Sequence, residues 1–174
     1  MKTRNKMLDF INIEGKVCAE IGVFTGEFSK EIYNRKPSHL FLVDPWCHQI
    51  VGYDEPCNVD NDLFQKYYNV IKMWSIQHDN VYVFRMLSNQ FINFFQEEIF
   101  DFVFIDANHS EKATYNDLWD YWNLVKYGGW LCGYDYGHLE YPGVKLAVDR
   151  FKNDKTIGFD LHIPEENTYG FQRK

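Results

Sequence analysis

Val17-Cys18-Ala19-Glu20-Ile21-Gly22-Val23-Phe24-Thr25-Gly26 is the stretch that decides the fold. A short apolar run carries one acid, Glu20, near its end, and Gly22 and Gly26 then bracket a tight turn. Ser29-Lys30-Glu31-Ile32-Tyr33 opens a helical pattern behind that turn. His39-Leu40-Phe41-Leu42-Val43 is a second buried-strand run, and it stops at Asp44. A glycine turn after one strand and a carboxylate after the next is the geometry that holds a nucleoside. The glycines let backbone approach the ligand, and the acid accepts hydrogen bonds from ribose hydroxyls. The same glycines also fit an ordinary strand-to-helix turn that needs positive φ.

The spacing discriminates between nucleosides. A dinucleotide fingerprint, Gly-x-Gly-x-x-Gly, brings a helix N-terminus onto a pyrophosphate. Here the pattern is Glu-x-Gly-x-x-x-Gly, with Val23, Phe24 and Thr25 inside the turn and Glu27 placed to repel a phosphate. A cofactor without phosphates and with a cationic amino-acid end fits better. The stretch resembles motif I of the class I methyltransferases, which implies S-adenosylmethionine. On that resemblance Glu20 binds the methionine ammonium, Gly22, Phe24, Thr25 and Gly26 form the turn around the cofactor, and Asp44 takes the ribose.

Two further strands end in acids. Phe100-Asp101-Phe102-Val103-Phe104-Ile105 leads into Asp106-Ala107-Asn108-His109, and Trp130-Leu131-Cys132-Gly133-Tyr134 leads into Asp135. In open α/β sheets ligands lie beyond the carboxyl ends of the strands, so Glu20, Asp44, Asp106 and Asp135 are expected on one edge. The segment from Phe102 to Phe151 resembles the small-molecule O-methyltransferases of the macrocin and mycinamicin sugar type, and more distantly the catechol type. The matching residues are Phe104-Ile105-Asp106-Ala107-Asn108-His109-Ser110, Asp117-Leu118-Trp119, Gly128-Gly129, Gly133 to Tyr136, and Gly143-Val144 running into Ala147-Val148-Asp149. It also resembles cephalosporin hydroxylases. The resemblance implies one Rossmann-like α/β domain over residues 1–174, with a seven-stranded, mostly parallel sheet, a terminal antiparallel hairpin and helices on both faces.

The elements read accordingly. Met7–Ile13 predicts a lead-in helix, Leu63–Trp74 a helix, and Val81–Phe84 a third strand. Glu111 to Val125 predicts a helix closed by Gly128-Gly129, and Gly143–Val148 starts another helix. Phe159–Ile163 and Tyr169–Phe171 predict the closing hairpin around Glu165-Glu166-Asn167.

Asp106 and Asp135, ending neighbouring strands, can converge on a hard cation such as Mg²⁺. The related metal-dependent enzymes add a third ligand directly after the second aspartate. Tyr136 stands there, so the triad departs from the pattern, and His138 or water would have to complete it. The resemblance gives His109 the role of general base beside Asp106, a task suited to an unperturbed imidazole near pKa ~6.5. A helix-start histidine is the plain alternative. By the same resemblance Ser88 hydrogen-bonds the adenine, with Met86 against its ring. Ser88 also reads as an N-cap for a helix from Asn89 to Phe95.

A net charge of −7 over 174 residues argues against non-specific nucleic-acid binding. No run approaches membrane-spanning length, and the basic start has no apolar stretch behind it. These features predict a soluble, cytoplasmic protein; the resemblance implies that it acts on a small-molecule hydroxyl of a sugar or phenol, and the oligomeric state stays open. Cys18 and Cys132 read as core residues, and Cys47, His48 and Cys57 form only a loose metal-clip pattern. Phe24, Trp46, Tyr134, Tyr136 and Tyr141 are candidate acceptor-pocket aromatics or simple loop packing. The Asp/Asn-Pro-Pro-Tyr signature of base amino-group methylation is absent. A methyltransferase acting on a macromolecule and a non-catalytic cofactor-binding module remain the alternatives.

Overall fold

A computed structural model describes residues 4–50, 53, 55–154 and 160–174. In chain order the elements are α1 (Asn5–Phe10), β1 (Val17–Ile21), α2 (Glu27–Asn34), β2 (His39–Asp44), α3 (Asn61–Ile76), β3 (Val81–Arg85), α4 (Ser88–Phe91), β4 (Phe100–Ile105), α5 (Glu111–Trp122), β5 (Val125–Gly133), α6 (Pro142–Lys152), β6 (Leu161–His162) and β7 (Tyr169–Gln172). A single 3-10 turn, Ile92–Phe94, follows α4.

The seven strands run in the order β3-β2-β1-β4-β5-β7-β6. Every pairing from β3 to β5 is parallel, and β7 enters antiparallel between β5 and β6. The order reverses between β1 and β4, and a crevice for ligands opens at such a switch point. Both faces of the sheet are covered, which is why the strands read as near-continuous apolar runs rather than alternating ones. Cys18, Phe102 and Phe104 pack with Met7, Phe28 and Ile71 from α1, α2 and α3. Ala19, Val103 and Ile105 pack with Phe91, Leu118 and Val148 from α4, α5 and α6.

Several boundaries differ from the sequence reading. The lead-in helix starts and ends earlier, at Asn5–Phe10, and Ile11 and Ile13 are buried just beyond it. Helix α5 stops at Trp122 with Asn123 as its C-cap, so Gly128-Gly129 do not cap it. These glycines sit inside β5, where the pairing jumps from Phe100↔Val125 to Phe102↔Trp130. The additional residues of β5 bulge out there, and Gly128 takes φ 80°, a conformation an L side chain resists. Ser88 is the first residue of a short helix whose N-cap is Leu87, so the capping role does not hold. The hairpin forms as β6 and β7; the expected strand start at Phe159 lies outside the described residues.

The N-terminal helix is tied to that hairpin. Met7 N–H donates to Glu165 Oε1 at 3.1 Å, and Met7 and Leu8 are buried. No helix among the described residues is long and apolar enough to cross a membrane.

Candidate functional site

The carboxyl edge of the sheet opens into a cleft of about 910 Å³. Its floor is built where the β1 and β4 ends touch. Asp106 N–H donates to Ile21 carbonyl oxygen at 2.8 Å, and Gly22 N–H donates to Val43 carbonyl oxygen at 2.9 Å. Gly22 has φ 87°, and a Cβ there would lie 1.9 Å from the Asp106 carbonyl oxygen. Its glycine is required by backbone-on-backbone contact between two strand ends. Gly26, with φ 76°, is required by α3 instead, since a Cβ would meet Ile71 Cδ1 at 1.9 Å. Gly26 does not line the cleft, whereas Glu20, Gly22, Phe24 and Thr25 do.

Asp44 is the hub of the turn. One carboxylate oxygen accepts the amides of Val23 and Phe24, each at 2.9 Å, and the other accepts Trp46 N–H at 2.7 Å. It therefore stitches the β1 turn to the end of β2 while still facing the cleft. Burial raises its carboxyl above the usual range, against the three amide hydrogen bonds that lower it. Glu20 is buried beneath, receives a hydrogen bond from the Ser29 hydroxyl, and is pushed by burial up to about 8.

On the β3 side, Ser88 lines the cleft and donates to Asp117 Oδ1 at 2.7 Å. Met86 is partly buried against the core and is not among the cleft-lining residues, whereas Leu87 and Asn89 are. Asp117 is itself buried and cleft-lining, and burial raises it to about 7.

The other half of the cleft gathers around His109. The histidine lies in the loop between β4 and α5, because Ser110 caps α5 by accepting Ala113 N–H at 3.3 Å. His109 Nε2 faces Asp135 Oδ2 at 3.0 Å and Asp106 Oδ1 at 3.5 Å. Its backbone N–H donates to Glu55 Oε1 at 3.1 Å, and its Nδ1 meets the other oxygen of Glu55. Tyr141 stacks on the imidazole with ring centroids 4.2 Å apart. A Cβ at Gly143 would come within 2.5 Å of His109 carbonyl oxygen, so this glycine lets α6 seat against the histidine loop.

This geometry changes the reading of the imidazole. Burial alone would push His109 down, but hydrogen bonds to Asp106, Asp135 and Glu55 overcome it and carry it up to about 12. The unperturbed base expected from sequence is thus an imidazolium in this arrangement. Asp106, where burial acts upward, is held below its ordinary value by His109 and by the Arg4 guanidinium, which contacts its Oδ2 at 2.7 Å.

Asp106, His109 and Asp135 each offer one ligand atom, all within 4.8 Å of one another, the one such group among the described residues. His109 thus stands where Tyr136 and His138 do not reach. The Tyr136 hydroxyl turns away to donate to Asp149 Oδ1 on α6 at 2.8 Å, and His138 stacks on Tyr141. Asp135 lies two residues beyond β5 at φ 62°, a strained position for a non-glycine residue and one such sites often hold. The Cys47–His48–Cys57 pattern forms no ligand group; His48 Nδ1 is spent on the Val59 carbonyl and Cys57 Sγ contacts Tyr53. Of the loop aromatics, Phe24, Tyr134 and Tyr141 line the cleft, whereas Trp46 is fully buried and donates from Nε1 to the Phe24 carbonyl at 2.8 Å. No sequence signal points to Glu55 or Arg4, because neither sits in a spacing tied to a strand end.

A methyltransferase domain family model matches residues 19–136. The uncharacterized protein R132 of Acanthamoeba polyphaga mimivirus is 28% identical over 141 residues, covering 80% of this chain and 60% of that protein, so the chain spans less than two thirds of this relative. Among solved structures, the O-methyltransferase NovP superposes with TM-score 0.65 at 16% identity, covering 98% of this chain and 76% of the other. The O-methyltransferase from Bacillus cereus in complex with SAH gives TM-score 0.62 at 15% identity, covering 98% and 80%. The SAH-bound methyltransferase PaMTH1 of Podospora anserina gives 0.62 at 14% identity, covering 91% and 72%. At these identities the superpositions speak for the shared fold.

Proposed function

The chain belongs to the methyltransferase domain family, and from that premise we propose that it transfers a methyl group from S-adenosylmethionine to a hydroxyl of a small molecule, a sugar or a phenol. The observation that carries this reading is the continuity of one cleft, with the Glu20, Gly22, Asp44 and Ser88 half opening directly onto the Asp106, His109 and Asp135 half. The first half suits a nucleoside with a cationic tail, and the second offers proton-handling groups beside it.

Methyl transfer is an in-line displacement at the sulfonium carbon, so the protein's tasks are alignment and removal of the hydroxyl proton. In this reading Asp44 and Ser88 hold the nucleoside and Glu20 faces the ammonium. Glu55 and Tyr141 fix the plane of His109, and Nε2 is the atom that takes the acceptor's proton once positive charge in the cleft offsets Asp106 and Asp135.

A divalent cation such as Mg²⁺ also fits the donor set of two carboxylates and an imidazole, with Asp106 and Asp135 as its oxygen ligands and His109 Nε2 in the third position. It would supply Lewis-acid polarisation of the acceptor hydroxyl. Ligation and base catalysis compete for the same nitrogen. The four free thiols accord with a cytoplasmic enzyme, and a concave cleft of about 910 Å³ lined by carboxylates accords with a metabolite rather than a nucleic acid.

The test is transfer of labelled methyl from S-adenosylmethionine to a panel of sugars and phenols, with Mg²⁺ and with EDTA. Transfer in both conditions assigns His109 as base, and transfer with Mg²⁺ alone assigns the cation. Binding of S-adenosylhomocysteine without transfer to any hydroxyl, but with transfer to protein or RNA, would overturn the small-molecule reading.

A further inference from the structure

Eight carboxylates line the cleft, from Glu20 and Glu27 through to Asp135, and among the described residues Arg4 is the only lysine or arginine that does. This imbalance poses a specific chemical problem for the cofactor reading, on which the inference rests. The cofactor's sulfonium and ammonium suit an anionic wall. Its one carboxylate does not, and because it shares a carbon with the ammonium it must lie within a few ångströms of the group that Glu20 faces.

We propose that Arg4 anchors the carboxylate of the cofactor's amino-acid end. The guanidinium sits on the correct side of the cleft. It contacts Asp106 Oδ2 at 2.7 Å, and its charge also reaches Glu20, so it stands between the adjoining ends of β1 and β4. It lies 4.1 Å from the Tyr134 ring centroid and 5.4 Å from that of Phe28, stacked on aromatic faces that orient its plane. The contact with Asp106 uses one of the five N–H donors of a guanidinium, and the rigid fork matches a carboxylate in a way a lysine ammonium does not.

Arg4 is also held rather than left on a loose terminus. It directly precedes α1, and α1 is fastened by buried Met7 and Leu8 and by the Met7 N–H bond to Glu165. Its side chain is 27% exposed, which leaves a face turned to the cleft.

The experiment compares two ligands that differ only in the group at issue. S-adenosylhomocysteine and its decarboxylated analogue would be titrated calorimetrically into wild type, Arg4→Gln and Arg4→Lys. Losing a charge-assisted pair should weaken S-adenosylhomocysteine by about 10–100-fold in Arg4→Gln. The decarboxylated analogue should bind that variant as it binds wild type, and Arg4→Lys should fall between. Equal weakening of both ligands would show that Arg4 only braces Asp106, and no weakening of either would leave it no role; each overturns the proposal. If Arg4→Gln fails to fold, wild type decides alone: equal affinity for the two ligands overturns the anchor. Wild type binding neither ligand overturns the cofactor reading itself, an outcome separate from the others.

Discussion

Glu55 holds His109 at two points, accepting its backbone N–H at 3.1 Å and meeting its ring at Nδ1. The glutamate comes from the polar loop between β2 and α3, and the histidine from the loop after β4, so the contact closes one side of the cleft over the other. A carboxylate on Nδ1 fixes that nitrogen as the donor and directs Nε2 toward Asp106 and Asp135. Glu55→Gln keeps the shape and removes the charge. Turnover should fall by about 10–100-fold with little change in cofactor affinity. Steady-state kinetics beside calorimetry would check it, and an unchanged turnover would mean that the pair serves only to tether the loop.

The histidine itself should matter more. His109→Ala removes the group at Nε2, whether it takes a proton or binds a cation, and should lower turnover by about 10²–10⁴-fold. Cofactor binding should persist, because Asp44, Ser88 and Glu20 lie on other strand ends. Single-turnover rates with saturating cofactor separate the two effects.

Asp44→Ala should cost both binding and stability. A ligand that binds only the folded state stabilises it by about 2.7 kcal/mol at a hundredfold excess over Kd, so S-adenosylhomocysteine should raise the wild-type Tm. Most of that shift should vanish in the variant. Its ligand-free Tm should drop as well, since the amides of Val23, Phe24 and Trp46 lose their acceptor. Thermal melts with and without ligand measure both parts, and an unshifted ligand-free melt would show that water replaces the carboxylate.

Asp117 predicts a pH dependence. Burial lifts its folded-state value to about 7, above the ordinary aspartate value of about 3.9. The folded protein then binds the proton more tightly than the unfolded chain. This group's contribution is fully present below pH ~4 and is lost as pH rises to about 7, at roughly 1.4 kcal/mol per unit. Asp117→Asn keeps an acceptor for the Ser88 hydroxyl and should flatten the slope in that window. Urea unfolding of both proteins from pH 5 to 8 would test it; parallel slopes would place the titration elsewhere.

Much of this architecture was legible from residue order. Strands β1, β2, β4 and β5 announce themselves because both faces are buried, and the acids near or beyond their ends stand out against apolar runs. The end of α5 was not legible. Gly128-Gly129 after an amphipathic run reads as a helix stop, and only the strand pairing shows that the glycines absorb a bulge. The site divides the same way. Asp44 and Ser88 fall at or just past strand ends and could be placed, but the charge state of His109 depends on Asp106, Asp135 and Glu55 together, and no local pattern brings Asp135 and Glu55 onto its ring. Met86 packs partly buried against the core, and the neighbouring Leu87 lines the cleft.

The acidic wall has one more consequence. Donating its methyl group turns the cofactor's sulfonium into a neutral thioether, so the spent molecule carries one positive charge fewer than the one that entered. Among the described residues the cleft lining sets eight acidic side chains against Arg4 and the His109 imidazolium, an excess that tells the two apart without touching the methyl group. It should hold the charged reactant more tightly than the spent form, and added salt should narrow the gap. Such a cleft lets go of its own by-product, and inhibition by accumulated S-adenosylhomocysteine should be weakest at low ionic strength.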